Sequence, residues 1–170
     1  MAKTAAISRK ELVQTVLKSP LHFLAFGFGS GLSPKAPGTM GTLAAIPLYL
    51  LLVQLPFAYY VLVLVVAIVV GIWLCGESAR LLGVHDHGGI VWDEFVGFWL
   101  TMLIAPAGWV WVVVGFALFR LFDIWKPWPI RIIDRKVEGG LGIMLDDILA
   151  GIYALVVLQA LAFIAGNWLH

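Results

Sequence analysis

The chain has 170 residues, of which 62% are hydrophobic and 12% charged, whereas a water-soluble domain is about half apolar and roughly a quarter charged. A single core in a chain of this length cannot hide so much apolar surface, so water is not its main solvent. A formal charge of +1 excludes the global basic field that gathers nucleic acid, and the one cysteine, Cys75, excludes an internal disulfide.

The first 35 residues hold Lys3, Arg9, Lys10, Lys18 and Lys35, while Leu12, Val13, Val16, Leu17 and Leu21 recur at helical spacing. This pattern predicts an amphipathic helix lying at a membrane interface. A signal peptide is the competing reading, but His22 inside a short apolar run makes a poor hydrophobic segment for one. Two glycine-rich stretches follow, Gly27-Phe28-Gly29-Ser30-Gly31 and Pro37-Gly38-Thr39-Met40-Gly41. Glycines before a helix let backbone N–H groups approach an anion, and they equally let membrane helices pack closely. Gly29, Ser30, Gly31 and Thr39 are the phosphate-cradle candidates.

Residues 36–76 contain no Asp, Glu, Lys or Arg, which is room for two membrane spans with a turn at Gln54-Leu55-Pro56. Residues 95–119 are likewise uncharged but are interrupted by Pro106-Ala107-Gly108, and residues 148–170 hold a final span. If the middle stretch were one helix, Arg120, Lys126, Arg131, Arg135 and Lys136 would lie across the membrane from the basic N-terminus, against the positive-inside rule. Two short helices instead gather the charged segments on one side. The expectation is an all-α, polytopic membrane protein with about five membrane helices, some short, plus the N-terminal amphipathic helix. It forms one domain, 1–170, in which 1–35 is a cytoplasmic-face segment and 36–170 the helical core.

Nine of the ten carboxylates lie between Glu77 and Asp147. Asp93-Glu94 and Asp146-Asp147 each lead directly into an apolar run. An acid at a helix start favours the macrodipole, but paired acids at two such starts, where ionised groups are expensive, suggest a shared cation. A hard divalent ion such as Mg2+ takes carboxylate oxygens and completes its shell with water and substrate phosphate. Asp93, Glu94, Asp146 and Asp147 are the metal candidates. Asp123 is one helical turn from Arg120 and from Lys126, so it reads equally as a ligand and as part of an ion-pair network. In His85-Asp86-His87, His85 or Asp86 is placed to move a proton to or from water or a leaving alkoxide. Arg120, Lys126 and Arg131, interleaved with Trp125 and Trp128, are lipid anchors on the simplest reading. Forked cations beside metal-binding acids at one membrane depth point further, to phosphoryl chemistry on a lipid.

The stretches GFGSGLSPKAPGTMGTL, HDHGGIVWDEFVG, FRLFDIWKPWPIR and GGLGIMLDDILAG together resemble the phosphatidylglycerophosphatase A family, in order, from about residue 20 to 151. The resemblance implies an all-helical bacterial inner-membrane enzyme with Mg2+ as cofactor. Its substrate would be phosphatidylglycerophosphate, and its products phosphatidylglycerol and inorganic phosphate. It draws attention to Asp93, Glu94, Asp123, Asp146 and Asp147. The residue-level reading divides the labour: catalysis by His85, Asp86 and Asp123, metal at the two acid pairs, and phosphate at Gly29 to Gly31, Thr39, Arg120, Lys126 and Arg131. Cys75 and Arg80 have the wrong spacing for a thiolate phosphatase, so metal-bound water is the expected nucleophile and an aspartyl-phosphate the second choice. Two rival readings are a proton or ion transporter using the carboxylates, and a structural subunit whose charged face binds anionic lipid.

Overall fold

In the computed structural model, which describes residues 8–84 and 86–168, the chain forms eight α-helices and one short 3-10 turn, with no strand among the described residues. Helix α1 (Arg9–Lys18) opens on a capping box in which Ser8 and Glu11 exchange hydrogen bonds, satisfying two N–H groups that the first turn leaves over. Ser19 then caps α2 (Pro20–Ala25), whose first residue is proline. The basic N-terminal segment is therefore two helices meeting at Ser19, because Pro20 has no N–H with which to continue α1. Residues 30–32 make the 3-10 turn, and α3 (Pro37–Leu52) follows.

Helix α4 (Phe57–Leu82) begins immediately after Pro56 and ends on Gly83 in the left-handed conformation. The uncharged stretch 95–119 is broken: α5 (Trp92–Thr101) and α6 (Trp109–Trp125) are separated by residues 102–108. Helix α7 (Ile130–Lys136) is short, and α8 (Gly139–Trp168) is the longest element. Of these, α4 and α8 are long and apolar enough to cross a membrane. Many of their large apolar side chains face outward, Val69, Trp73, Val156 and Phe163 among them, as a lipid-facing surface requires and a water-facing one does not.

Helix α8 is central, packed against α4, α5, α6 and α7. Glycines permit the closest approaches. A Cβ on Gly140 would overlap the Ile72 carbonyl of α4, and one on Gly151 would meet the Gly97 carbonyl of α5. Helix α5 is almost wholly buried, and side chains of α4, of α8 and of α5 itself satisfy carbonyls at and beyond its C-terminal end. The Tyr60 hydroxyl donates to the Trp99 carbonyl at 2.8 Å, Thr101 Oγ1 donates to Gly97, and Gln159 Nε2 donates to the Ile104 carbonyl just beyond. Three contacts, Gly76 with Gly140, Gly97 with Gly151 and Ile104 with Gln159, run the bundle from a charged end to an uncharged one.

The expected final span began at residue 148; the helix in fact starts nine residues earlier, at Gly139. Asp146 and Asp147 thus lie about 11 Å along α8 rather than at its start. The macrodipole is felt only in the first turn, so helix capping does not account for this pair.

Candidate active site

Three helices bring five carboxylates together. Asp93 and Glu94 come from the first turn of α5, Asp123 from the last turn of α6, and Asp146 and Asp147 from the third turn of α8. They form two overlapping groups, Asp93 with Glu94 and Asp147, and Asp123 with Asp146 and Asp147. Within each group one oxygen per residue lies within 4.8 Å of the others, and Asp147 belongs to both. Asp147 is 3% exposed, Asp146 7% and Glu94 9%.

Arg120 and Lys126 are the cations that pair with this cluster among the described residues. Arg120 Nη1 stands 2.5 Å from Asp123 Oδ2 and 3.8 Å from Glu94 Oε1. Lys126 Nζ donates to Asp134 Oδ1 at 2.7 Å and to Asp146 Oδ2 at 2.6 Å. The expected Asp123–Lys126 contact is replaced by this bridge because Lys126 has left the helix. It caps α6 in the left-handed conformation, φ 46°, and its side chain turns towards α7 and α8. Burial opposes charge on Lys126, but its hydrogen bonds to Asp134 and Asp146 win and hold its pKa above the ordinary lysine value. It is an ammonium throughout the physiological range.

Two cations do not balance five carboxylates in a place with little water. Asp93 Oδ1, Glu94 Oε2, Asp146 Oδ1 and Asp147 Oδ2 are all buried without a hydrogen-bond partner. Orphaned oxygens on acids that lie in two such close groups fit a divalent cation, whose hard charge takes oxygen ligands. Arg120 and Lys126 offset part of this charge, and a divalent cation would take up the oxygens that they leave over.

The start of α3 completes the site. Its N-cap, Ala36, is left-handed at φ 46°, ψ 59°, a conformation that costs a non-glycine residue about 1–2 kcal/mol. This turn sets Gly38 against the ion pair: a Cβ there would overlap Glu94 Oε1 and lie 3.0 Å from Arg120 Nη1. The N-terminal N–H groups of α3, Arg120 and the carboxylate cluster thus adjoin one another. Such an arrangement binds a phosphate between fixed positive charge and a metal.

The other expected residues fall at different distances from this centre. Thr39 is in the first turn of α3 beside Gly38. Gly29 caps the 3-10 turn and Ser30 and Gly31 lie in it; Ser30 Oγ donates to the Gly27 carbonyl, and Gly31 packs on the Gly89 backbone. Arg131 is exposed on α7 and donates to the Trp125 carbonyl at 3.4 Å. Asp86 lines a cavity of about 60 Å3 with Asp93, Asp134 and Asp146, space enough for water. His85 lies outside the described residues. Sequence reasoning missed Gly38 and Asp134. The glycine sits inside a stretch already singled out, so its signal was present. Asp134 carried no signal, because eight residues separate it from Lys126 and no helical spacing pairs them.

A family profile described as Phosphatidylglycerophosphatase A matches residues 23–162. The chain is 52% identical over 162 residues to phosphatidylglycerophosphatase A of Escherichia coli (strain K12), covering 94% of this chain and 92% of that protein. It is 47% identical over 149 residues to phosphatidylglycerophosphatase A of Haemophilus influenzae, covering 86% and 91%. No solved structure matches it.

Proposed function

The chain belongs to the phosphatidylglycerophosphatase A family, and from that premise we propose that it removes the terminal phosphate of phosphatidylglycerophosphate, yielding phosphatidylglycerol and inorganic phosphate. The observation that carries the reading at residue level is the pair of carboxylate groups joined through Asp147, with orphaned buried oxygens beside Arg120 and the start of α3.

Asp93, Glu94 and Asp147 would hold one Mg2+, and Asp123, Asp146 and Asp147 are the ligands available to a second. Bound there, the metal supplies charge neutralisation on the phosphoryl oxygens and a lowered pKa for water. Arg120 and the Gly38 and Thr39 N–H groups take the remaining phosphoryl oxygens and steady the charge that develops on them. Lys126 holds Asp146 and Asp134 in place, and its ammonium offsets part of the cluster's negative charge. Asp86, on the small cavity beside Asp93, is the group through which a proton passes between the site and water, with His85 its neighbour in the chain. Such assistance is needed, because phosphate monoesters are among the slowest substrates to hydrolyse unaided.

In this reading α3, α4, α5, α6 and α8 enter the membrane, and α5 and α6 form a short hairpin inside the bundle. The carboxylate end faces the cytoplasm of a bacterial inner membrane, with α1 lying along that surface. Transport is the weaker reading. It needs ionisable groups along a path through the bilayer, and the carboxylates and their cations gather at one end of the bundle.

Phosphate release from phosphatidylglycerophosphate by purified protein in detergent micelles, with Mg2+ and then with excess chelator, tests the proposal. Release that the chelator stops is expected. Folded protein that releases no phosphate with Mg2+ present would overturn it.

A further inference from the structure

Pro37, the residue before Gly38, also lines a separate cavity of about 420 Å3. Its walls come from α1 (Arg9, Leu12 and Val13), from residues 31–34 at the end of the 3-10 turn and just after it, and from the loop His87-Gly88-Gly89. None of its lining residues is acidic, in contrast to the carboxylate cluster next to it. Arg9 makes no ion pair among the described residues, so its guanidinium fork is available. His87 Nδ1 accepts a hydrogen bond from the Gly89 N–H at 3.0 Å. A ring whose Nδ1 accepts carries its proton on Nε2, which makes that nitrogen a donor. Arg9, His87 and the Gly88-Gly89 segment line one opening, and a guanidinium, an imidazole N–H and glycine backbone are groups that suit a phosphate oxyanion.

The substrate proposed above has two phosphates. One is the terminal monoester, and the other is the phosphodiester that joins the lipid to glycerol, three carbons away. We propose that this cavity binds the phosphodiester, so that Arg9 and His87 select a lipid carrying both phosphates while the carboxylate site acts on the terminal one. Continuity through Pro37 and Gly38 places the two anion sites side by side, as a substrate with a short spacer requires. The N-terminal helix then takes part in substrate recognition as well as lying at the membrane surface. This inference rests on the lipid phosphatase reading and extends it.

The test compares wild type, Arg9→Gln, Arg9→Lys and Lys10→Gln in neutral-detergent micelles at fixed surface concentration of phosphatidylglycerophosphate. Lys10 is the neighbouring charge on α1 and does not line this cavity. Arg9→Gln should raise KM about tenfold with kcat unchanged, the size expected of one charge-assisted hydrogen bond partly open to water. Arg9→Lys should recover part of the loss, and Lys10→Gln should leave KM alone. Phosphatidylglycerol keeps the diester and lacks the terminal phosphate, so it should compete with substrate, and Arg9→Gln should weaken that competition by the same factor. Inhibition by inorganic phosphate should be the same in both proteins. An unchanged KM in Arg9→Gln, equal effects of the Arg9 and Lys10 changes, or no competition by phosphatidylglycerol would overturn the assignment. Wild-type protein without phosphate release would instead overturn the underlying reading.

Discussion

Gly38 lies directly against Glu94: a side chain at position 38 would occupy the place of the Glu94 Oε1 oxygen. The left-handed Ala36 aims the first turn of α3 at the ion pair between α5 and α6, and the missing Cβ lets it arrive. The hydrogen atom at Gly38 is therefore a condition for the Glu94–Arg120 contact.

Gly38→Ala should lower kcat about ten- to a hundredfold, since one added carbon in a close-packed site typically costs about 1–3 kcal/mol, here directed at Glu94 and Arg120. Gly166→Ala, with nothing within 4 Å of its Cβ position, should leave the rate unchanged. Steady-state phosphate release and thermal unfolding in detergent check both, and full activity in Gly38→Ala would show that the contact has no part in turnover.

Asp147→Asn should abolish activity, because both carboxylate groups share this residue. In chelator its thermal stability should equal or exceed that of wild type, since one of several crowded, buried like charges has been removed. Adding Mg2+ should raise the midpoint of wild type and leave that of the variant unchanged. A ligand present at about a hundred times its Kd stabilises by about 2.7 kcal/mol. An equal Mg2+ response in both proteins would remove Asp147 from the metal site.

Lys126→Met should change the Mg2+ concentration needed for half-maximal rate while leaving the lipid KM nearly unchanged, because Lys126 Nζ is occupied by Asp134 and Asp146. A raised KM with an unaltered Mg2+ response would reassign Lys126 to the substrate. The same bridge has a pH signature. A lysine whose folded pKa is raised contributes stability fully present below its unfolded value, about 10.4, and lost as pH rises through the folded one. The stability difference between wild type and Lys126→Met should therefore persist without falling from pH 7 to about 10. Thermal unfolding across that window measures it, and a difference that vanishes by pH 9 would contradict the raised value.

Ala107→Cys, at the exposed turn between α5 and α6, should react with a membrane-impermeant maleimide from outside intact cells or spheroplasts. Arg135→Cys on α7 should react only after permeabilisation. Native Cys75 is buried in α4 and should stay silent. Labelling of Ala107→Cys only from the inside would overturn the short-hairpin topology.

Much of this organisation was legible from residue order alone. Uncharged runs longer than 20 residues require a solvent other than water, and prolines at positions 56 and 106 mark where helices must stop. The acids stood out for the same reason, since Asp93-Glu94 and Asp146-Asp147 abut long apolar runs and such placement is costly without compensation. The start of α8 was not legible: residues 139–147 mix glycines, apolar residues and two acids. They become helical by packing on α4, where Gly140 meets Ile72 and Gly76.

Only the tertiary structure decided which acids share a centre. Asp93 and Asp147 are 54 residues apart, and the depth at which α5, α6 and α8 meet depends on glycine contacts such as Gly97 with Gly151, which no local pattern encodes. It likewise decided that Lys126 serves carboxylates through a left-handed helix end, and that Gly38, rather than the glycines at 29 and 31, touches the ion pair. The sequence by itself determined the solvent, the helical class and the chemical identity of the groups, because those follow from composition and short-range spacing. Register between distant helices follows from close packing of complementary surfaces, and that exists only once the chain has folded.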